Sequence, residues 1–451
     1  MNHKKFYVLF LLLLVFVLAA CQTTQPTSAP EQPQETAPPA GSEVPATFKF
    51  STWGDPTFFE DGFNRMKDAY PEYADVEWEF LPGGEGTEDL LAKLIVDFAA
   101  EAWDTMPDAT EMNTSAIPQL AEAGLLVDWT EEIEPFKDDI SPAVLEGVTW
   151  NGKVWAVPWM PNSGMIWYNK DVFDEAGINA DNIKTWDDFF AAGKVIRETD
   201  FADGVERYIT SGDVGWGPGM PLQLMLQQEC SGFFDPETGE LTIDTDPAFH
   251  KAFELWANAM EEDIILPVAE WETSWYDGLN EGIIASYPSA NWMDQVIQQE
   301  LEDQEGKWRA MKLPLVTSDG SQAAFEGGSA NVIVLNKPDL NKDLAWAFLQ
   351  NSFLNEDVTG DLLSTHKLVP AYIPALDHPY YSGPNEFYGG QEVGILDKEI
   401  QQSASCQFPY TEHHAEAMDL ILVEMQEVWT GNKTVDQAIE DAAASIRGAI
   451  E

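Results

Sequence analysis

Residues 151–177 read NGKVWAVPWMPNSGMIWYNKDVFDEAG. Between Lys153 and Lys170 no side chain carries a charge, in a chain that is 22% charged overall. Trp155, Trp159, Trp167, Tyr168, Pro158 and Pro161 fill that interval. KVWAVP and MIWYN are rich in strand-forming residues, and the Pro-Asn-Ser-Gly between them is a turn signal. The stretch reads as a strand, a short loop, and a second strand that runs into a helix. Burial within a sheet accounts for most of the missing charge. Trp159, where KVWAVP meets its loop, is the residue that burial explains least well.

The same alternation continues on both sides. TFKFSTWG and VEWEFLPGG read as strands, as does VIVLN at 332–336. Helical spacing fills FFEDGFNRMKDAYPEY, TEDLLAKLIVDFAAEAW, TWDDFFAAGKVIRE, DPAFHKAFELWANAMEED, DLAWAFLQNSFLN and AEAMDLILVEMQEVW. Strands alternating with helices imply α/β layers. At 451 residues the chain exceeds what one core usually serves, so two lobes are expected. In open α/β sheets, ligands sit beyond the carboxyl ends of strands. Trp53, Trp159 and Trp292 each follow a strand signal, and an indole there either packs or faces a ligand.

Composition narrows the partners. Seventy-eight acidic against 23 basic residues give a net charge of −55. Such a field repels phosphates, so nucleic acid is excluded as a partner. The N-terminus has Lys4 and Lys5, an apolar run Val8–Leu18, then Ala19, Ala20 and Cys21. Residues 1–20 therefore read as a signal peptide, too short for a comfortable membrane span. Leu18-Ala19-Ala20-Cys21 resembles a bacterial lipobox, which implies lipidation of Cys21 and anchoring to the outer face of the membrane. Residues 22–46 are rich in Pro, Thr, Gln and Ala and lack aromatics, the composition of a tether. Outside the cytoplasm Cys230 and Cys406 could pair, or could stay as two buried thiols.

With these features in hand, the chain from about residue 48 onward resembles the extracellular solute-binding proteins of ABC importers, in the sugar-binding family that includes maltose-binding protein. The resemblance rests on the opening stretch followed by TWDDF (185–189), on MPDAT (106–110) and on LAEAGLLVDWTEEI (120–133). It continues through EGIIASYPSANW (281–292), FEGGSANVIVL (325–335), DLAWAFLQNSFLNED (343–357), LVPAYIPAL (368–376) and the closing helix from Val435. It implies a two-lobed periplasmic-binding-protein fold of type II, α/β, with three crossovers, a ligand cleft between the lobes, and hinge closure on binding. By segment, one lobe is expected at 47–157 plus 291–336 and the other at 158–290 plus 337–451. The implied partners are a neutral mono- or oligosaccharide and the permease subunits, the protein acting as a monomer without cofactor.

A neutral sugar presents hydroxyls at its edge and C–H patches on its faces, so its site needs carboxylates, amides and aromatic planes. Position in the family pattern and side-chain chemistry select Trp53, Asp55, Glu111, Asn113 and Trp159 on one side. They select Asp213, Trp216, Trp275, Trp292 and Glu326 on the other. Trp155 and Trp167 alternate within strands and read as core. A carbohydrate-acting enzyme and a solute-sensing lipoprotein are the alternatives. No Gly-x-Ser-x-Gly, HExxH or P-loop occurs, so no catalytic motif supports the enzyme. His413-His414 reads as a solvated helix start, and Asp244-Thr-Asp246 ahead of Pro247 as a helix cap, so no metal site is expected.

Overall fold

The computed structural model describes residues 44–450 except 85, 213–218, 237 and 405. The leader, Cys21, the tether, Asp213 and Trp216 lie outside the described residues. Among the described residues the architecture is two-lobed α/β, with a core for each lobe.

The first lobe is built on strands β1 (Thr47–Thr52), β2 (Glu77–Pro82), β3 (Ala109–Asn113), β4 (Ala156–Met160) and β8 (Ala330–Val334). Their order is β2-β1-β3-β8-β4. β1 runs parallel to β2 and β3, while β8 is antiparallel to β3 and β4. Helix α1 (Thr57–Ala69) buries Phe58, Phe59, Phe63 and Met66, the periodic apolar face of an amphipathic helix. The second lobe holds β5 (Gly164–Asn169), β6 (Ser286–Ala290) and β7 (Trp308–Lys312) in the order β6-β5-β7, antiparallel throughout.

Local chemistry sets several boundaries. Asn169 accepts hydrogen bonds from the backbone of Asp171 and Val172 and so starts the helix after β5. Thr185 and Asp188 form a capping box for helix Trp186–Glu198. Asp246 caps helix Pro247–Glu261 through Ala248 N at 2.8 Å, and Asp244 pairs with Arg447. His414 does start a helix, but it is buried against Phe233 rather than solvated, and burial pushes its imidazole pKa down to about 3.

Three expected assignments are corrected. β4 continues through Met160, so the first lobe's strand extends past residue 157 and includes Trp159. β7 falls in the segment 291–336 assigned to the first lobe, yet it pairs with β5 in the second. Helices α2 (Lys342–Phe353) and α3 (Glu356–Thr365) were assigned to the second lobe, yet Leu344, Phe348, Phe353 and Leu363 join the first lobe's core. Phe348 lies 5.8 Å from Phe48 and 6.1 Å from Phe50. The approach of α1 to α2 is close: a Cβ on Gly62 would meet Ser352 Oγ at 2.9 Å. The physical reason is that periodicity shows which helix face is apolar, and several sheets could have covered it.

The chain passes between lobes at 161–163 and again between β7 and β8. It returns between Ala375, in the first core, and Tyr388, in the second. Cys230 and Cys406 are disulfide-bonded, with Cα atoms 5.7 Å apart.

Candidate functional site

The first two passages lie side by side. Glu326 N donates to Asn162 O at 2.9 Å, Asn162 Nδ2 donates to Glu326 O at 3.0 Å, and Gly164 N donates to Ala324 O at 2.8 Å. Asn162 (φ 53°), Gly327 (φ 65°) and Gly328 (φ 79°) take left-handed backbone, which turns both segments sharply. This fixes Glu326 at the junction of the lobes, only 4% exposed.

Glu326 Oε2 accepts from Trp292 Nε1 at 2.8 Å and from Ser289 Oγ at 2.9 Å. Trp292 follows β6 and packs against the cores of both lobes. Trp271 packs on it in a tilted arrangement with ring centroids 5.4 Å apart, and likewise on Trp275 at 5.1 Å. Trp275 is fully buried and donates to Ser211 Oγ at 3.1 Å. Trp271 is the opposite case: 50% exposed and held at φ 68°. A bulky aromatic in that conformation is strained by about 1–3 kcal/mol, and such strain persists where the surroundings impose it. Beside it, Glu270 accepts from Tyr287 OH at 2.9 Å and from Ser211 Oγ at 3.4 Å. Together these residues form a tryptophan cluster, Trp271 outermost over the buried Trp275, with the carboxyl groups of Glu270 and Glu326 beside it.

Across the junction the first lobe presents other expected residues in different states. Glu111 on β3 is buried and accepts from Thr52 Oγ1. Asn113 ends the same strand and is half-buried, its backbone N–H donating to Thr87 Oγ1 at 3.4 Å. Trp53, just past β1, is half-buried against the first core. Asp55 is exposed and engages the Thr57 backbone N–H at 2.9 Å and the Thr57 hydroxyl, which hold its pKa below the usual carboxylate value. It shapes the start of α1. Trp159 is 3% exposed, packed on Phe58 at 4.6 Å and Phe59 at 5.6 Å, its indole N–H without a partner among the described residues. It belongs to the core, because its strand runs one residue past it and turns its ring under α1.

The structure thus brings Trp275, Trp292 and Glu326 into one cluster. Trp271 and Glu270 were missed. Their sequence signal is AEWETSW (269–275): an indole flanked by glutamates has no apolar period to place it in a core.

Burial pushes Glu111 and Glu326 up to about 7; the bonds from Thr52, and from Trp292 and Ser289, act the other way, and Glu270 raises Glu326 further. A carboxyl whose folded pKa is raised stabilises the fold below its unfolded pKa of about 4.3, and that stability is lost as pH rises through about 7. Between pH 5 and 8, the melting temperature of the wild type is therefore expected to fall more steeply than that of a Glu111→Gln/Glu326→Gln double variant. Parallel slopes in a pH series of thermal melts would remove this assignment.

The description of one protein family, bacterial extracellular solute-binding proteins, matches residues 58–358, more than half of the chain. The chain is 26% identical over 297 residues to an arabinooligosaccharide-binding protein of Halalkalibacterium halodurans, the match covering 64% of each chain and so under two thirds of that relative. It is 24% identical over 458 residues to an arabinooligosaccharide-binding protein of Bacillus subtilis, covering 98% of this chain and 99% of the relative. Among solved structures, the ABC transporter associated binding protein of B. animalis subsp. lactis Bl-04, in complex with β-1,6-galactobiose, superposes with a TM-score of 0.71 at 22% identity. That superposition covers 90% of this chain and 96% of the other, and it shows a shared fold.

Proposed function

This chain belongs to the bacterial extracellular solute-binding proteins, and we propose on that premise that it captures a neutral carbohydrate at the junction of its lobes and hands it to the permease of an ABC importer. The observation that carries the reading is the half-exposed Trp271 packed on Trp292, above the buried Trp275, with the carboxyl groups of Glu270 and Glu326 beside them. Indole planes cover the C–H faces of a pyranose or furanose ring, and carboxylates accept its hydroxyl protons. Trp271 reaches outward from the junction, giving a second ring somewhere to lie, so an oligosaccharide is favoured over a monosaccharide. The sugars named for the two relatives and the superposed structure point the same way. The net charge of −55 disfavours an anionic ligand.

The remainder of the reading follows from the N-terminus. Lipidated Cys21 and the tether at 22–46 hold a monomeric body at the outer face of the membrane, within reach of the permease. Among the described residues no helix is long and apolar enough to cross a membrane. The protein binds and does not convert its ligand.

A thermal-shift screen tests the ligand class. Arabino-oligosaccharides, galactobiose, monosaccharides, peptides and glycerol phosphodiesters are compared at equal concentration. A neutral oligosaccharide is expected to stabilise by about 2.7 kcal/mol at a hundredfold excess over Kd. Stabilisation by charged ligands alone would overturn the carbohydrate reading. Release of shorter sugars during incubation would turn the protein into an enzyme.

A further inference from the structure

Glu270 and Trp271 follow the carboxyl end of a short strand, Ile265–Pro267, which runs parallel to another, Thr210–Gly212. Residues 268–272 then lead into helix Thr273–Asn280. The connection is held at both ends. Val268 N donates to Gly212 O at 3.3 Å, and Glu272 O accepts from Trp275 N at 2.9 Å and Tyr276 N at 3.3 Å. Between these, Glu270 is held through its side chain. Its Oε2 accepts from Tyr287 OH on β6 at 2.9 Å, and its Oε1 takes a longer bond from Ser211 Oγ at 3.4 Å.

The two groups that hold Glu270 also hold Trp275. Ser211 Oγ accepts from Trp275 Nε1 at 3.1 Å, which leaves its own proton for Glu270. The Tyr287 ring lies edge-on to Trp275, centroids 5.2 Å apart. Tyr287, Ser211 and Trp275 are all buried, so the frame is fixed by packing as well as by hydrogen bonds. Trp271 lies outside this frame, 5.1 Å from Trp275 and 5.4 Å from Trp292, with φ at 68°. Left-handed backbone at a bulky aromatic persists where its surroundings over-determine it. Here the surroundings are Glu270 pinned before the ring and Glu272 pinned after it.

We propose that Glu270 is a positioning residue: its carboxylate, anchored on Tyr287 and Ser211, sets the pose of the exposed Trp271 ring against Trp275 and Trp292. A bond to a carboxylate is stronger than one between neutral groups, which suits an anchor at a half-exposed position. A ring whose pose is set before the ligand arrives loses less freedom on binding, so the anchor adds affinity without a contact of its own. That consequence for a sugar rests on the carbohydrate reading. The pose of the ring does not.

The test has one arm without ligand and one with it. Closely packed indoles couple their far-ultraviolet transitions, so the circular dichroism of the wild type minus that of Trp271→Ala reports the pose of this ring. Glu270→Ala is expected to lose most of that difference signal, Tyr287→Phe part of it, and Glu270→Gln, which keeps an acceptor for Tyr287, little. In the second arm, calorimetry with an arabino-oligosaccharide and with galactobiose measures affinity. Glu270→Ala is expected to weaken binding about tenfold. Added to Trp271→Ala it is expected to cost nothing more, because it acts through that ring. An unchanged difference signal in Glu270→Ala would show that the backbone alone holds the ring and overturn the inference. Additive losses in the double variant would overturn it too, since Glu270 would then act on the sugar by itself. If neither sugar binds the wild type, it is the carbohydrate reading that fails, and the dichroism alone decides whether Glu270 sets the ring.

Discussion

Trp292→Ala is expected to weaken carbohydrate binding by about 30- to 700-fold, the range corresponding to about 2–4 kcal/mol for a central interface aromatic. Three losses combine. The indole plane against Trp271 disappears, the 2.8 Å bond to Glu326 is broken, and the packing that joins both lobes' cores is lost. Glu326 would remain buried with one donor fewer. Part of the effect will therefore appear as a lower melting temperature without ligand. Trp271→Ala separates the terms, because that ring is half exposed and supports little core. It should cost affinity, about 1–2 kcal/mol, with the melting temperature nearly unchanged, because alanine keeps a Cβ at φ 68° and only glycine would relieve that strain. Trp292→Phe keeps an aromatic face and loses the N–H, so its affinity should fall between the two. Calorimetry with the sugar found in the thermal-shift screen measures all three. Wild-type affinity in both alanine variants would place the ligand elsewhere.

Much of this architecture could be read before any coordinates. The strands and helices signalled by alternation and by 3.6-residue periodicity are present, because those periods record which side chains must leave water. Thr185, Asp246 and Pro247 marked helix starts through hydrogen bonding that is local in sequence. Two kinds of information were not local. Helices α2 and α3 carry an apolar face, but the partner that covers it, β1 with α1, lies about 290 residues earlier. β7 gave no strand signal in the sequence, and only its pairing with β5 places it in the second lobe. The site shows the same limit. Trp275, Trp292 and Glu326, selected by position and chemistry, fall into one cluster at the junction of the lobes. Trp159 was expected in a loop after KVWAVP, but the strand continues two residues further, through Met160, and this holds the indole within the first lobe's core against Phe58. Trp271 was passed over because its one sign, an indole between glutamates in AEWETSW, belongs to no strand or helix period.

Opening the Cys230–Cys406 bridge is expected to cost about 2–5 kcal/mol of stability. The bridge joins positions separated by 176 residues. Loop-closure entropy for a span of that length sets an upper value of about 5 kcal/mol. The full value should not be reached, because other contacts hold the same segments. Gln227 Nε2 donates to Cys406 O at 3.0 Å, and Gln227 Oε1 accepts from Phe325 N at 2.8 Å. Cys230 itself sits at φ 53° in the turn that closes the preceding helix, its N–H donating to Gln227 O at 3.0 Å, a backbone arrangement that does not depend on the bridge. Those two bonds tie the bridge to the loop that carries Glu326, so the reduced protein should lose order near the site before it unfolds globally. A urea titration of the Cys230→Ser/Cys406→Ser variant, beside the wild type with and without reductant, measures this. The midpoint should fall and the slope rise, since an uncrosslinked denatured chain exposes more surface. The reduced wild type should match the double variant. An unchanged midpoint under reducing conditions would show that the covalent link adds nothing to what Gln227 and the surrounding packing already hold together.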